Sequence, residues 1–399
     1  MTILNADAAN LPKMGVAHFS FDPKPNVFTL LPLLTNISAQ TVRIEVPWAE
    51  TETALGQYAI PLYSGWFIAE MQRAGRQVVI CCDYGNALYP GSGAFNLPPR
   101  DAASCQAFAN YVAFLAKTYP WATFEIYNEP NNPTFLANAV NPTQYGALLS
   151  TVINTVRALP NIGPSIQLIT AGVGSVASAD DQNQYMVSVA NAVGPATMAK
   201  LNAHTLHPYD TGAPETLLGH INGYRAAMSY QGPIAITEWG YTNAWINSDE
   251  TKRALYVARM IGSAILAGVT TLNMFSLKDT GTNLNDPEQN FGLHKFDNTP
   301  KPAVAAFKNM VDTLAGTLTY DAEIIPVTGG NNYRITLRKA GGVTKIIWSD
   351  APITSIVEPM ATVQNVTDSN GGRPWFRFQP AGIMITVGPA IAPIIVSGT

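Results

Sequence analysis

The chain has 399 residues, of which 47% are hydrophobic and only 13% charged, and its formal net charge is −4. That is enough chain for a large core with an accessory unit, while the weak acidic balance and the lack of any long basic run exclude an electrostatic footprint for nucleic acid or an anionic membrane. No stretch approaches the ~18 uninterrupted apolar residues of a membrane span, and the three cysteines, Cys81, Cys82 and Cys105, suit neither a disulfide framework nor a zinc site.

In chain order, residues 1–13 read as an N-terminal arm, without the basic segment and apolar run of a leader peptide. Short β-branched runs then alternate with longer helical patterns. Strands are expected near 14–19, 41–47, 77–83, 124–129, 166–172, 201–207, 233–238 and 270–276, with helices such as 101–118, 142–158 and 249–267 between them. Ser248-Asp249-Glu250 supplies a cap and an acidic first turn for the last of these, and Gly268 closes it. A final helix over about 301–314 follows Pro300 and stops at Gly316, matching the preference for proline at a helix start and glycine past its end. Eight βα units favour a closed (β/α)8 TIM barrel over 14–315, of class α/β. Adjacent Cys81 and Cys82 should point to opposite faces of their strand as buried thiols. His204 and His207, also in a strand pattern, should be split between faces too, so a metal site there is not expected.

Beyond 316 the texture changes. Alternating strands at 333–337, 343–348, 375–378 and 383–387, joined by glycine turns at 341–342 and 371–372, suggest a C-terminal antiparallel β-sandwich over 316–399. Such a unit either binds carbohydrate or buttresses the barrel. Trp348 and Trp375 sit inside strand patterns, which favours the buttress.

Two segments carry the chemistry. Phe124-Glu125-Ile126-Tyr127-Asn128-Glu129-Pro130 and Pro233-Ile234-Ala235-Ile236-Thr237-Glu238-Trp239-Gly240 each run an apolar strand into a glutamate. A glutamate at a strand end is usually a solvated rim residue. Two of them at the carboxyl ends of barrel strands, where barrel sites form, are what glycosidic cleavage requires: one carboxyl to protonate the leaving oxygen and one to attack or stabilise the anomeric carbon. Asn128 and Glu129 can both reach such a site only if the strand is ending, as Pro130 suggests. Gly172-Val173-Gly174 is half of a dinucleotide fingerprint without its third glycine, and no Gly-x-Ser-x-Gly elbow or phosphate loop occurs.

Tyr127-Asn128-Glu129-Pro130-Asn131 and Thr237-Glu238-Trp239-Gly240 resemble the acid/base and nucleophile motifs of the clan A retaining glycoside hydrolases. Residues 42–48, with Arg43, are similar to the clan's strand 2, and His207-Pro208-Tyr209 to its strand 6. Asp83-Tyr84-Gly85-Asn86, followed by Leu88-Tyr89, resembles strand 3 of family 39, especially members acting on bacterial exopolysaccharides. The resemblance implies Glu129 as acid/base, Glu238 as nucleophile, and Asn128 on the sugar 2-hydroxyl. It places Arg43 and Tyr209 as donors that keep Glu238 ionised, and His207 at the rim. Tyr84, Asn86, Trp48, Trp239 and Lys278 become candidate sugar subsites. Core packing is the competing reading of both tryptophans, an ion pair with Glu45 or Asp83 that of Arg43, and a satisfied core histidine that of His207. Phe275 stands where many clan members place a tryptophan.

The implied function is double-displacement hydrolysis of β-glycosidic bonds in a polysaccharide. Aromatic residues near several strand ends (Trp48, Tyr84, Tyr89, Tyr209, Trp239, Trp245) suggest a groove and endo action, and the low charge suits a neutral or weakly charged exopolysaccharide of the kind found in biofilms. No cofactor and no metal are expected, the partner is a polysaccharide or oligosaccharide, and a monomer, secreted or periplasmic, is the expected setting. The alternatives are a family 5-like endoglycanase, an exo-acting β-xylosidase-type enzyme, and, from another class, a non-catalytic glycan-binding barrel.

Overall fold

A computed structural model of the chain describes residues 2–18, 26–93, 95–136, 141–174 and 179–399. Eight parallel strands carry the site: β1 Lys13–His18, β2 Thr41–Glu45, β3 Gln77–Cys82, β4 Thr123–Ile126, β5 Gln167–Ile169, β6 His204–His207, β7 Ile234–Trp239 and β8 Thr271–Phe275. Residue 19, expected to end the first strand, lies outside the described residues. Each strand is followed by a helix: α1 Val27–Asn36, α2 Leu62–Arg73, α3 Ala102–Thr118, α4 Pro142–Arg157, α5 Ala179–Val193, α6 Thr216–Met228, α7 Glu250–Ala267 and α8 Pro302–Leu314.

The strand order β5-β4-β3-β2-β1-β8-β7-β6 is continuous. It closes where Ile169 bridges Ala203 and where Val173–Gly174, the chain just beyond β5, pairs in parallel with Leu206 and His207. The result is a closed (β/α)8 barrel, as alternating strands and helices require when both faces of a parallel sheet are covered.

Local chemistry sets the helix ends. The Asp101 carboxylate caps α3 through the Ser104 amide, and the Ser104 side chain returns the bond, which satisfies two otherwise orphaned groups. Asn141 caps α4 ahead of Pro142. Asp249 caps α7, and Gly268, at φ 65°, ends it.

Beyond α8 come β9 Thr317–Val327, β10 Gly330–Lys339, β11 Gly342–Ser349, β12 Thr354–Glu358, β13 Val363–Asp368, β14 Phe376–Gln379, β15 Gly382–Val387 and β16 Ile394–Gly398. They form two antiparallel sheets. The larger runs N-terminal strand Thr2–Asp7, β9, β10, β11, β16, β13, and the smaller β12, β15, β14. The segment read as an arm is thus a strand of the larger sheet, with Ala6 opposite Tyr320 and Asp7 opposite Thr319.

One face of the larger sheet, with Ile347, Val366, Ile394 and Val396, packs on Ile383, Ile385 and Val387 of β15. The other face, with Tyr320, Tyr333, Ile335, Leu337 and Trp348, joins the barrel's core. Trp348 stacks on Tyr333 at 5.1 Å and donates its indole N–H to Glu215 at 2.7 Å. Glu215 also accepts two 2.7 Å bonds from Arg259 of α7. Residue 262 must be glycine for this packing, since a Cβ there would come within 2.5 Å of the Trp348 ring. Helix α7, covered by strands on one side and by this sheet on the other, is buried along most of its length.

Candidate active site

The barrel interior is apolar at its amino end, where Val79, Ile169 and Ala203 meet, and charged at its carboxyl end. Arg43 of β2 is only 2% exposed and organises that end. Its Nε donates to Glu125 Oε2 at 2.7 Å, its Nη1 to Glu238 Oε1 at 2.7 Å, and its Nη2 to Asn128 Oδ1 at 2.8 Å and to the Cys81 sulfur at 3.1 Å. The alternative partner for Arg43, an ion pair with Glu45 or Asp83, is not what forms; Glu125 and Glu238 take the guanidinium.

Two backbone devices aim the glutamates. Strand β4 ends at Ile126, and Tyr127 (φ 78°) and Glu129 (φ 38°) follow in the left-handed region. That conformation costs of order 1–3 kcal/mol for a residue with a side chain. It breaks the alternation, so that Asn128 and Glu129 both reach inward. In β7 the register shifts between Ile236 and Trp239. Consecutive Thr237 and Glu238 therefore both meet interior partners, Thr237 donating to Glu125 Oε1 at 3.1 Å and Glu238 accepting from Arg43.

Each carboxylate is held at both oxygens. Glu238 Oε2 accepts the Tyr209 hydroxyl at 3.0 Å. Glu129 Oε1 lies 2.9 Å from His207 Nδ1, and Oε2 accepts from Asn132 Nδ2 at 2.9 Å. His207 Nε2 lies 2.9 Å from Thr237 Oγ1, which completes a path Glu129, His207, Thr237, Glu125, Arg43, Glu238 through the barrel. One donor atom from each of Glu129, His207 and Glu238 falls within 4.8 Å of the other two, and all three residues are buried.

Gly172 and Gly174 make room for this. A Cβ at Gly172 would lie 2.0 Å from His207 Nε2, and one at Gly174 would lie 2.7 Å from Glu129 Oε1. The half-fingerprint of glycines after the fifth strand is explained by close approach to these side chains.

Electrostatics follow from the path. Glu125 is wholly buried, which by itself would raise its pKa, but the Arg43 charge and the bonds from His207 and Arg43 hold it down at about 2. Burial likewise opposes the charged form of His207, yet Glu238, Glu125 and Glu129 around it lift its pKa to about 9. Glu238 departs from expectation. Burial raises its carboxyl above the ordinary value, with the charges of His207 and Arg43 working against the rise and Glu129 adding to it. Two donors therefore do not hold it low, because desolvation in a closed barrel outweighs them.

Behind Asn128 stands Tyr84, whose hydroxyl accepts from Asn128 Nδ2 at 3.3 Å and donates to Glu45 Oε1 at 3.1 Å. Burial, partly offset by Arg43, lifts Glu45 to about 7.

Of the residues read from sequence, Arg43, Asn128, Glu129, His207, Tyr209 and Glu238 come together, with Tyr84 just behind. Four others do not present themselves to a sugar. Trp48 is fully buried, stacked on Tyr89 at 4.9 Å and bonded to Glu52 at 2.6 Å. Trp239 is also fully buried, as part of the hydrophobic core. Asn86 spends its side chain on the Glu52 carbonyl and the Leu88 amide. Lys278 donates to Asn298 at 2.7 Å and lies over the Phe296 ring. Phe275 instead joins Phe291, Tyr209 and Trp245 in an aromatic wall beside the pair.

Sequence reasoning missed Glu125, Thr237, Asn132 and Glu45 as members of the site. The signal for Glu125 was an acidic residue in the middle of an apolar strand. Cys81, Cys82 and Cys105 are buried free thiols, and the two strand-6 histidines do divide between faces, His204 bonding Tyr224 at 2.9 Å.

No protein-family model and no curated protein matches the chain. Solved structures do. A family 39 glycoside hydrolase from the gut symbiont Bacteroides cellulosilyticus WH2 aligns with TM-score 0.78 at 20% identity, over 98% of this chain and 82% of that one. A family 39 β-xylosidase from Caulobacter crescentus aligns with TM-score 0.66 at 10% identity, over 98% and 96%. A family 51 α-L-arabinofuranosidase from Bifidobacterium longum aligns with TM-score 0.62 at 11% identity, over 100% and 97%. The chain has the fold of the clan A glycoside hydrolases, a TIM barrel with a β-rich C-terminal unit, and is similar to family 39 over nearly its whole length.

Proposed function

We propose that the protein is a retaining glycoside hydrolase acting on β-linked sugars. The observation that carries this reading is the buried meeting of Glu129, His207 and Glu238 donor atoms within 4.8 Å at the carboxyl end of the barrel. That proximity suits the ~5–5.5 Å of a nucleophile and acid/base pair better than the ~6.5–9.5 Å that leaves room for an inverting water. A barrel that only bound glycans would have no need to hold two carboxylates against each other at the cost of burying both.

In this reading Glu129 protonates the departing glycosidic oxygen while Glu238 attacks the anomeric carbon. Glu129 then takes a proton from the water that releases the sugar. Arg43 and Tyr209 fix the two oxygens of Glu238, and His207, through Thr237 and Glu125, fixes Glu129. Asn128 accepts from Arg43 at its Oδ1 and donates one N–H to Tyr84, which leaves its second N–H for the sugar 2-hydroxyl. Trp245, half-buried beside Tyr209, supplies apolar surface for one ring face, with Phe291 packed against it and Phe275 against Phe291.

The test separates the roles. Glu238→Ala should abolish turnover of an aryl β-glycoside and be rescued by azide as the α-glycosyl azide, whereas Glu129→Ala should keep attack on substrates with good leaving groups. Rescue with the opposite stereochemistry would exchange the two residues, and undiminished turnover in both variants would end the proposal.

Chain length of the substrate is a finer matter. Trp48, Tyr84 and Trp239, three of the six aromatics that suggested a long groove, are buried, and the remaining wall is compact. That favours exo action on a terminal sugar over internal cleavage of an exopolysaccharide. Sizing of the first products decides: monosaccharide alone supports exo action, and mixed oligosaccharides restore the groove.

A further inference from the structure

Glu129, His207 and Glu238 do more than meet; they present one donor atom each to a common point. His207 Nδ1 lies 2.9 Å from Glu129 Oε1 and 3.8 Å from Glu238 Oε2, and the three donor atoms all fall within 4.8 Å of one another. Two ligands of a tetrahedral zinc ion, each roughly 2.0–2.2 Å from the metal, are separated by roughly 3.3 Å. The two edges at His207 lie on either side of that value and the Glu129–Glu238 edge is no longer than 4.8 Å, so the carboxylates need only draw together for the three to share a single ion.

The groups around these donors are those that orient metal ligands. The remaining ring nitrogen of His207 faces Thr237 Oγ1 at 2.9 Å, and Thr237 donates to the buried Glu125 carboxylate at 3.1 Å. A carboxylate acting on the far side of an imidazole fixes the tautomer and raises its basicity toward a metal. The other oxygens of the two glutamates are also occupied, Glu129 Oε2 by Asn132 and Glu238 Oε1 by Arg43. Glu129 Oε1 and Glu238 Oε2 are left facing the imidazole, the latter shared with the Tyr209 hydroxyl at 3.0 Å.

We propose that this triad is a binding site for a zinc-like divalent transition metal ion, which shuts the enzyme off reversibly by occupying Glu129 and Glu238 together. The three donors, one imidazole and two carboxylates, are all zinc-ligand types and equal in number the three protein ligands of a catalytic-type site with an open fourth position. An imidazole among the three donors favours a zinc-like ion over calcium and magnesium, which take oxygen ligands. The bound ion displaces the proton from His207 Nδ1, while Nε2 keeps its bond to Thr237. The inhibitory half of the proposal rests on the glycosidase reading; the binding half does not.

The experiment is calorimetric titration of metal-free protein with zinc chloride. Wild type should bind one ion saturably, with no such binding from magnesium chloride. Glu129→Gln and Glu238→Gln should each weaken zinc by tenfold or more, and Thr237→Val by about tenfold. His220→Gln, which alters the separate His220–Asp210 contact, should leave the affinity unchanged. In the wild type, zinc should raise KM for an aryl glycoside without lowering kcat, and EDTA should restore the starting value. Absence of saturable zinc binding, unchanged affinity in both glutamate variants, or equal binding of magnesium would overturn the site. Inhibition that lowers kcat at constant KM would overturn the blocking mechanism. A protein that binds zinc as described but cleaves no glycoside would keep the site and discard the glycosidase reading.

Discussion

Arg43→Met tests the charged path at its centre. Methionine keeps most of the buried hydrocarbon volume, so the change removes the cation and its donors without opening a large cavity. Glu125 and Glu238, 0% and 6% exposed, would then lose their 2.7 Å partners. Removing one member of a buried ion pair costs about 3–5 kcal/mol, and urea unfolding near neutral pH should show a loss of that size. The same substitution removes the leading force that holds Glu125 at about 2 and one of the two charges that oppose the rise of Glu238. Carboxyl pKa values should therefore climb, and the acid limb of the pH–rate profile should move to higher pH. Adding guanidinium at low concentration should recover part of the activity in Arg43→Ala. A stability loss below about 1 kcal/mol, typical of an exposed pair, together with an unmoved acid limb, would refute the assignment of Arg43 as the shared counter-ion.

Other consequences follow from the same geometry. Gly172→Ala and Gly174→Ala, which push a methyl toward His207 Nε2 and Glu129 Oε1, should lower kcat by about 100-fold; normal turnover in folded variants would refute the close-approach argument. Trp348→Ala should cost about 3–5 kcal/mol in urea unfolding while leaving kcat/KM on a small substrate intact, and the reverse pattern would make the C-terminal sheets part of the chemistry. The raised pKa of His207 contributes stability that is complete below its ordinary 6.5 and is lost as pH climbs to about 9. The depressed pKa of Glu125 contributes stability that is complete above 4.5 and is lost as pH falls to about 2. The contributions of these two groups should thus decline on both sides of that window, by up to the order of 3 kcal/mol on the alkaline side, while Glu45, lifted to about 7, contributes a loss as pH rises from 4.5 to 7. His207→Asn should flatten the alkaline decline, and a urea midpoint equal at pH 6.5 and pH 9 would count against the buried imidazolium.

The barrel was legible because its signals are local. Short β-branched apolar runs, capping side chains such as Asp249 and stop signals such as Gly268 and Gly316 place strands and helices without tertiary information. The N-terminal strand, β9, β12, β13 and β16 were not legible: the first two lie in a sheet that is only partly covered, so their alternation is faint, and their pairing sets residues 2–7 against the start of the C-terminal unit. At the site, Glu129 and Glu238 could be read because each ends an apolar strand. Glu125 and Thr237 could not, since only the broken alternation at Tyr127 and the register shift in β7 turn their neighbours inward beside them. Trp48, Trp239, Asn86 and Lys278 were misplaced for the opposite reason: the position of a residue near a strand end does not say which way its side chain points. Trp348, read as a strand residue favouring the buttress, is buried against the barrel through Gly262 of α7, 86 residues earlier in the chain, whereas Trp375, read the same way, lies just before β14 and is 56% exposed.

The central claim is that Glu238 forms a bond to sugar while Glu129 handles the proton. A panel of 2-deoxy-2-fluoro-β-glycosyl fluorides, which slow the second step more than the first, should leave one glycosyl group on the protein, and peptide mapping by mass spectrometry should place it on the segment containing Glu238. A label on the segment containing Glu129 or on any other carboxylate, or a first-formed product of inverted anomeric configuration, would contradict the account.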